Sequence, residues 1–321
     1  MQIYIGFITA GILVVAGMLF MVEKHTVQAV AEGIVAPTHA SILFGGDMMF
    51  DRTLRTTAAE KGGDYLFACL DELFRSEDLV IANLEGPITP STSISQYSLP
   101  GDGRNFTFTF PTTTAELLYA HNVRTVNLGN NHIMNFGTTG VESTETSLSD
   151  AHVGFFGDPL EQSVIEENVQ GIPLAFINYN QFWYKSSAST TIAQIRDARL
   201  KGEIPVVYTH WGEEYLPATE REKTLAHAFI DAGADIVIGS HPHVVQEHEL
   251  YQGKHIYYSL GNLIFDQYFD DAVDHGLMVQ VRFAQKGAEE VTEIPVVLQK
   301  NRQTCPDVDI HRVPLADLLK G

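Results

Sequence analysis

The chain has 321 residues, enough for one large domain or two small ones, and it is acidic: 20 Lys plus Arg against 40 Asp plus Glu give a formal net charge of -20. That balance argues against a nucleic-acid partner, which needs a basic footprint. It also means that an anionic ligand is repelled unless a cation sits in its site.

Residues 3–22 form an apolar run of 20 without a charge, long enough to cross the ~30 Å hydrocarbon core as a helix. A cleaved signal peptide is the competing reading, because Ala29-Val30-Ala31 resembles a small-residue cleavage site. The run exceeds the usual apolar segment of a signal, which favours an uncleaved anchor. Both readings export the rest of the chain. The expectation is therefore a single-pass cell-membrane protein with an extracytoplasmic soluble domain. Residues 23–40 read as a tether, 41–300 as the domain and 301–321 as a tail. Cys69 and Cys305 are too few for a disulfide framework. Cys69 shares a helical face with Leu66, Leu70, Leu73 and Phe74 and reads as a small core residue.

The domain opens on an apolar strand at 41–44, followed by Gly45-Gly46-Asp47. A helical pattern spans 64–75, a second buried strand 79–82, and Asn83-Leu84-Glu85-Gly86 lies at its exit. Residues 90–103 are rich in Ser, Thr, Gly and Pro and read as an excursion loop. Residues 106–110 alternate Phe with Thr, a half-buried strand pattern. A helix is expected at 112–121, a strand at 124–128 with Gly129-Asn130-Asn131-His132 at its exit, a helix at 138–150 and a strand at 153–157. Strands at 172–178 and 204–209 follow, the second ending in His210-Trp211-Gly212-Glu213-Glu214-Tyr215. A helix runs from Pro217 to 231. The strand at 234–239 exits into Ser240-His241-Pro242-His243, and the strand at 254–260 into Gly261-Asn262. Residues 275–283 and 291–298 read as an antiparallel pair.

Helices and strands alternate, and Asp47, Glu85, Asn131, His210, His241 and His243 all sit just past strand ends. In α/β proteins sites are built there. His241 and His243, two apart in an extended segment, point to one side. Two imidazoles that converge are what a metal site needs. His39, His121, His152, His248 and His311 lie outside this set and read as surface or helix-end residues.

Taken in order, Gly46-Asp47 to Asp51-Arg52, Asn83-Leu84-Glu85-Gly86, Asn127 to His132, His210 to Tyr215, Gly239 to Gln246 and Tyr258 to Asn262 resemble the CapA family of capsule synthesis, associated with poly-γ-glutamate. That family is similar to the calcineurin-like metallophosphoesterases. The resemblance implies an α/β four-layer α-β-β-α sandwich, preceded here by the N-terminal transmembrane helix, and a centre for one or two divalent metals. By position, Asp47 and His243 are implied to bind the first metal, Glu85 to bridge, and Asn131, His210 and His241 to bind the second. His132 stands where the general acid or charge-stabilising histidine is expected. Arg52 and Asn262 are candidates for binding substrate.

Three departures stand out. Met49 occupies a position where a histidine is expected, Glu85 replaces an aspartate, and Asn135 stands where an aspartate commonly follows. The metal beside His243 is therefore expected to be the weaker one. Imidazole, carboxylate and amide ligands suit Mn, Zn or Fe, with Glu213 and Glu214 as candidates for orienting His210. Two functions follow from these readings. One is a metal-dependent hydrolase or transferase acting on a phosphoester or a γ-glutamyl polymer. The other is an accessory or scaffold protein of a capsule-synthesis complex, binding metal or anionic polymer without turnover.

Overall fold

The structure, a computed structural model, describes residues 39–99, 102–161 and 164–307. Within them short apolar runs alternate with amphipathic segments and build a mixed α/β fold of two sheets and six α-helices. The first sheet takes β1 (Ala40–Met48), β2 (Leu79–Leu84), β3 (Val123–Asn127) and β4 (Gly154–Phe156) in parallel. On the other side of β1 it adds β12 (His275–Ala284), β13 (Gly287–Leu298) and β14 (Thr304–Pro306), all antiparallel to their neighbours, while β11 (Asn262–Ile264) pairs with the end of β1. The second sheet runs β5 (Val164–Val169), β6 (Ile172–Asn180), β7 (Ile204–His210), β8 (Ile236–Ser240), β10 (Lys254–Tyr257) and β9 (His248–Tyr251).

Strand periodicity divides the apolar residues between faces. Ile42, Phe44 and Ile81 of the first sheet share one buried cluster with Phe176, Val206 and Ile238 of the second. Their neighbours Leu43, Val80 and Ala82 face the other way. They pack with Leu54 of α1 (Arg52–Lys61), Phe74 of α2 (Asp71–Ser76), Leu118 of α3 (Thr114–Ala120) and Val141 of α4 (Gly137–Asp150). Ile177, Val207 and Val237 do the same against Ile195 of α5 (Ala188–Lys201) and Phe229 of α6 (Glu220–Ala232). Both faces of each central strand are buried, which explains their unbroken apolar runs.

Several expectations are revised by local hydrogen bonding. The 64–75 helix is split into a 3-10 turn at Gly63–Phe67 and α2. Helix α6 starts at Glu220 rather than at Pro217, because Thr219 and Glu222 form a capping box. The Phe/Thr segment is no strand: Asp51 takes the Thr109 N–H and Asn135 the Phe108 N–H, leaving one bridge at Phe110. His121 does end a helix, as the C-cap of α3, but it is buried there, bonded to Asp64 and Asp71 and stacked on Phe67.

The reading of Cys69 as a core residue is also corrected. It is exposed and forms a disulfide with Cys305 on β14, closing a loop of 236 residues. The expectation of a single-pass membrane protein is corrected as well. No helix among the described residues is long and apolar enough to cross a membrane, and the run at 3–22 on which it rested lies outside them.

A disulfide closing so long a loop removes much unfolded-state entropy, so Cys305→Ser should lose about 2–5 kcal/mol of stability. Urea midpoints of wild type and variant under non-reducing conditions measure this, and equal midpoints would refute it.

Candidate metal centre

Two rows of polar residues face each other at the carboxyl ends of the strands. In the first sheet Asn262, Asp47, Asn83 and Asn127 stand in register across β11, β1, β2 and β3. In the second, Asn180, His210 and Ser240 stand in register across β6, β7 and β8. Close backbone approach sets the glycines of both motifs. A Cβ on Gly46 would fall 1.9 Å from the Gly261 carbonyl, and one on Gly239 1.9 Å from that of Tyr258.

Asp47 and Glu85 are wholly buried. Asn83 holds them together, its Nδ2 donating to Asp47 Oδ1 at 2.8 Å and to Glu85 Oε2 at 3.1 Å. The His241 N–H donates to Asp47 Oδ2 at 3.1 Å. Glu85 Oε1 is left buried with no hydrogen-bond partner. Burial, opposed by hydrogen bonds, brings the Asp47 carboxyl up to about 6. Glu85 is pushed well above the usual carboxylate range by burial first and by the Asp47 charge second.

The histidines are neutral and fixed from behind. Asn262 gives its Nδ2 to the Val273 carbonyl, so its Oδ1 is the acceptor that meets His243 Nδ1 at 2.9 Å. Ser240 donates to the Thr209 carbonyl and therefore accepts from His210 Nδ1 at 2.9 Å. Asn135 Oδ1 accepts from the Phe108 N–H and from His132 Nδ1 at 3.3 Å. Each imidazole thus carries its proton on Nδ1 and turns the Nε2 lone pair inward. Burial lowers His243 and His241 to about 3, His132 to about 4 and His210 well below its ordinary value.

Lone pairs consequently meet lone pairs. Glu85 Oε1 lies 3.6 Å from His243 Nε2 and 3.8 Å from His132 Nε2. His210 Nε2 lies 2.9 Å from Asn131 Oδ1. No proton is available between that last pair, so a cation or an overturned amide must hold it. His241 Nδ1 is buried without a partner, and its ring centroid is 4.8 Å from that of His210. Among the described residues, Asp47, Glu85 and His243 form the cluster whose ligand atoms all lie within 4.8 Å of one another. The set expected to be weaker is thus a close-set one.

The turn that carries His241 and His243 is not extended as expected. Both residues have positive φ, 99° and 58°, on either side of Pro242. This sparsely populated backbone, rather than strand alternation, brings their ring centroids within 6.1 Å. Met49 turns away and its sulfur accepts the Asp51 N–H at 2.9 Å. Arg52 is paired with Asp266 and lies over Phe108 and Phe265. Asn262 sits behind His243, 1% exposed. Glu213 is exposed and Glu214 half-buried, and Ser240 occupies the place behind His210 proposed for them. Asn83, Ser240 and Asp266 were not legible as site residues. A polar residue in register beside a candidate ligand was the available signal.

Residues 41–267 match the family model described as bacterial capsule synthesis protein PGA_cap. The chain belongs to the PGA_cap family. It is 30% identical over 277 residues to the PGA biosynthesis protein CapA of Bacillus subtilis, covering 80% of this chain and 71% of that protein. It is 27% identical over 277 residues to the capsule biosynthesis protein CapA of Bacillus anthracis, covering 79% and 66%. A probable polyglutamine synthesis accessory protein of Mycobacterium tuberculosis is 30% identical over 168 residues, 43% of this chain and 44% of that one. The CapA resemblance read from the motifs is borne out.

In this PGA_cap protein, the raised Asp47 value means that the folded state holds the proton more tightly than the unfolded chain. Its contribution is full below about 3.8 and is lost as pH rises through about 6. Metal-free Asp47→Asn should therefore gain about 1–3 kcal/mol over wild type at pH 8. That gain should vanish near pH 4. Chelator-treated urea melts at both pH values measure it, and a difference independent of pH would refute the assignment.

Proposed function

We propose that this chain is a capsule-synthesis protein of poly-γ-glutamate type carrying a metal-dependent hydrolase or transferase site. The Nε2 lone pairs of His132 and His243 beside the unpartnered Glu85 oxygen, with that of His210 against Asn131 Oδ1, carry the reading. Without a cation the buried carboxylates hold their protons more tightly than usual, and a divalent ion among the neutral imidazoles would take the place of those protons. The three apolar layers also support a four-layer α-β-β-α architecture of calcineurin-like type.

Asp47, Glu85 and His243 would hold one divalent ion, and Asn131, His210 and His241 a second, with Glu85 shared between them. Manganese, zinc or iron suits this mixture of nitrogen and oxygen. When bound, such an ion supplies Lewis acidity and activates water near neutral pH. The remaining steps belong to the chain. Asn83 keeps both carboxylates turned inward. His132, with Nδ1 engaged by Asn135, has Nε2 available to carry a proton to or from the reacting group, a contribution of ~10²–10⁴-fold. The bound cation also offsets repulsion of an anionic substrate.

An accessory role without turnover is the second reading. Met49 favours it, since the carboxylate half of the centre has one imidazole rather than two. The name of the mycobacterial relative also describes an accessory protein.

Elemental analysis of the purified protein should find a divalent transition metal, and His243→Ala should lower its stoichiometry. His241→Ala should do the same. If both variants keep the wild-type metal content, the centre is wrongly assigned. Metal bound with no metal-dependent hydrolysis of phosphoesters or γ-glutamyl peptides would leave the accessory reading.

A further inference from the structure

Beside the metal centre, the loop after β6 has two faces. Phe182 lies on the centre, its ring 4.3 Å from that of His241. Trp183, Lys185 and Ser186 line a separate cleft of about 170 Å³, with Asn178 and Asn180 buried at its floor. The floor connects to the carboxylates through side-chain amides. Asn178 donates to Asn127, Asn127 to Asn83, and Asn83 to Asp47 and Glu85.

The chemistry of the cleft differs from that of the centre. Arg52, whose charge is felt at Glu85, is already paired with Asp266. Among the described residues Lys185 makes no ion pair, its ammonium lying 5.7 Å from the Tyr184 ring centroid. Ser186 Oγ accepts the Asn180 N–H at 3.1 Å, which leaves its hydroxyl proton to donate. Lysine and this hydroxyl together suit one carboxylate. Asn180 gives one amide hydrogen to the Asn130 carbonyl and accepts the Phe182 N–H, so one donor and one acceptor remain for a ligand amide. Asp158 and Glu161, which also line the cleft, disfavour a densely charged chain such as a polyphosphate.

We propose that this cleft seats one γ-linked glutamyl unit, its carboxylate on Lys185 and Ser186 and its main-chain amide on Asn180, beside the metal centre. The assignment rests on reading the chain as a poly-γ-glutamate protein. It places recognition of the polymer on groups that hold no metal. It also separates binding from the centre, since the unit contacts the loop whose other face carries Phe182.

The test uses the purified full chain, titrated with a γ-linked tetraglutamate and followed by calorimetry and by tryptophan emission. Trp183 lines the cleft, whereas Trp211 is buried with its Nε1 bonded to the Tyr258 carbonyl. The γ-linked oligomer should bind and perturb emission. Lys185→Gln should weaken it by about 10-fold or more, the effect of losing one charged partner, with metal content unchanged. Unchanged binding in Lys185→Gln overturns the assignment, and so does equal binding of an α-linked tetraglutamate. Wild type that holds metal but binds no oligomer overturns the cleft and leaves the centre standing. Oligomer bound as expected by a protein without metal overturns the centre and leaves the cleft.

Discussion

A hydrogen bond from the back of three of the four imidazoles decides the character of this site. Ser240, Asn262 and Asn135 are each committed as acceptors by a second partner, Ser240 by the Thr209 carbonyl, Asn262 by the Val273 carbonyl and Asn135 by the Phe108 N–H. None can reverse its role without breaking that second bond. The protons of His210, His243 and His132 are thereby fixed on Nδ1, so that the Nε2 lone pairs of His243 and His132 meet Glu85 and that of His210 meets Asn131. Burial removes the remaining freedom, because protonating an enclosed imidazole costs desolvation of a charge. Asn83 does for the carboxylates what these acceptors do for the histidines. Its two hydrogens engage Asp47 and Glu85, and the second Glu85 oxygen is the one left over.

That arrangement depends on the two sheets ending at the same level. The apolar cluster shared by Phe44, Ile81, Phe176 and Ile238 holds them together, and the polar rows begin where it stops. Asp47 and Asn83 are register partners in one sheet, His210 and Ser240 in the other. A slip of one residue in either would turn a polar row into the apolar layer. The glycines at 46 and 239 belong to the same constraint. They allow β11 and the end of β10 to approach β1 and β8 more closely than any side chain permits.

The strand exits were legible because parallel strands buried on both faces write continuous apolar runs, and the residues after them are conspicuously polar. Asp47, Glu85, Asn131, His210, His241 and His243 were found this way. The orienting residues were not, since they act on another side chain and share no pattern of spacing. Ser240 reads as part of a turn until register places it beside His210. Asn135 read as a departure, yet its oxygen bonds His132 without adding a charge. Strand β14, three residues long, carries no periodicity, so the partner of Cys69 was invisible. Helix α5 starts among Ser and Thr residues that also suit a loop, and Ser187 caps it from outside any motif.

The two halves of the centre differ in a way that composition alone would not suggest. A cation held by Asp47, Glu85 and His243 would meet two carboxylates and one nitrogen, whereas one held as proposed by Asn131, His210 and His241 would meet two nitrogens and an amide oxygen. Oxygen-rich sets favour harder ions such as manganese, and imidazole-rich sets favour zinc or iron. Met49 sharpens this contrast, because its sulfur is turned to the Asp51 N–H and adds no nitrogen to the first half. Losing a histidine there removes a neutral ligand but none of the negative charge. The electrostatic attraction for a cation would therefore be kept while the preference among cations shifted. Glu85, one methylene longer than aspartate, is tied down at only one oxygen and turns the other toward His243 and His132.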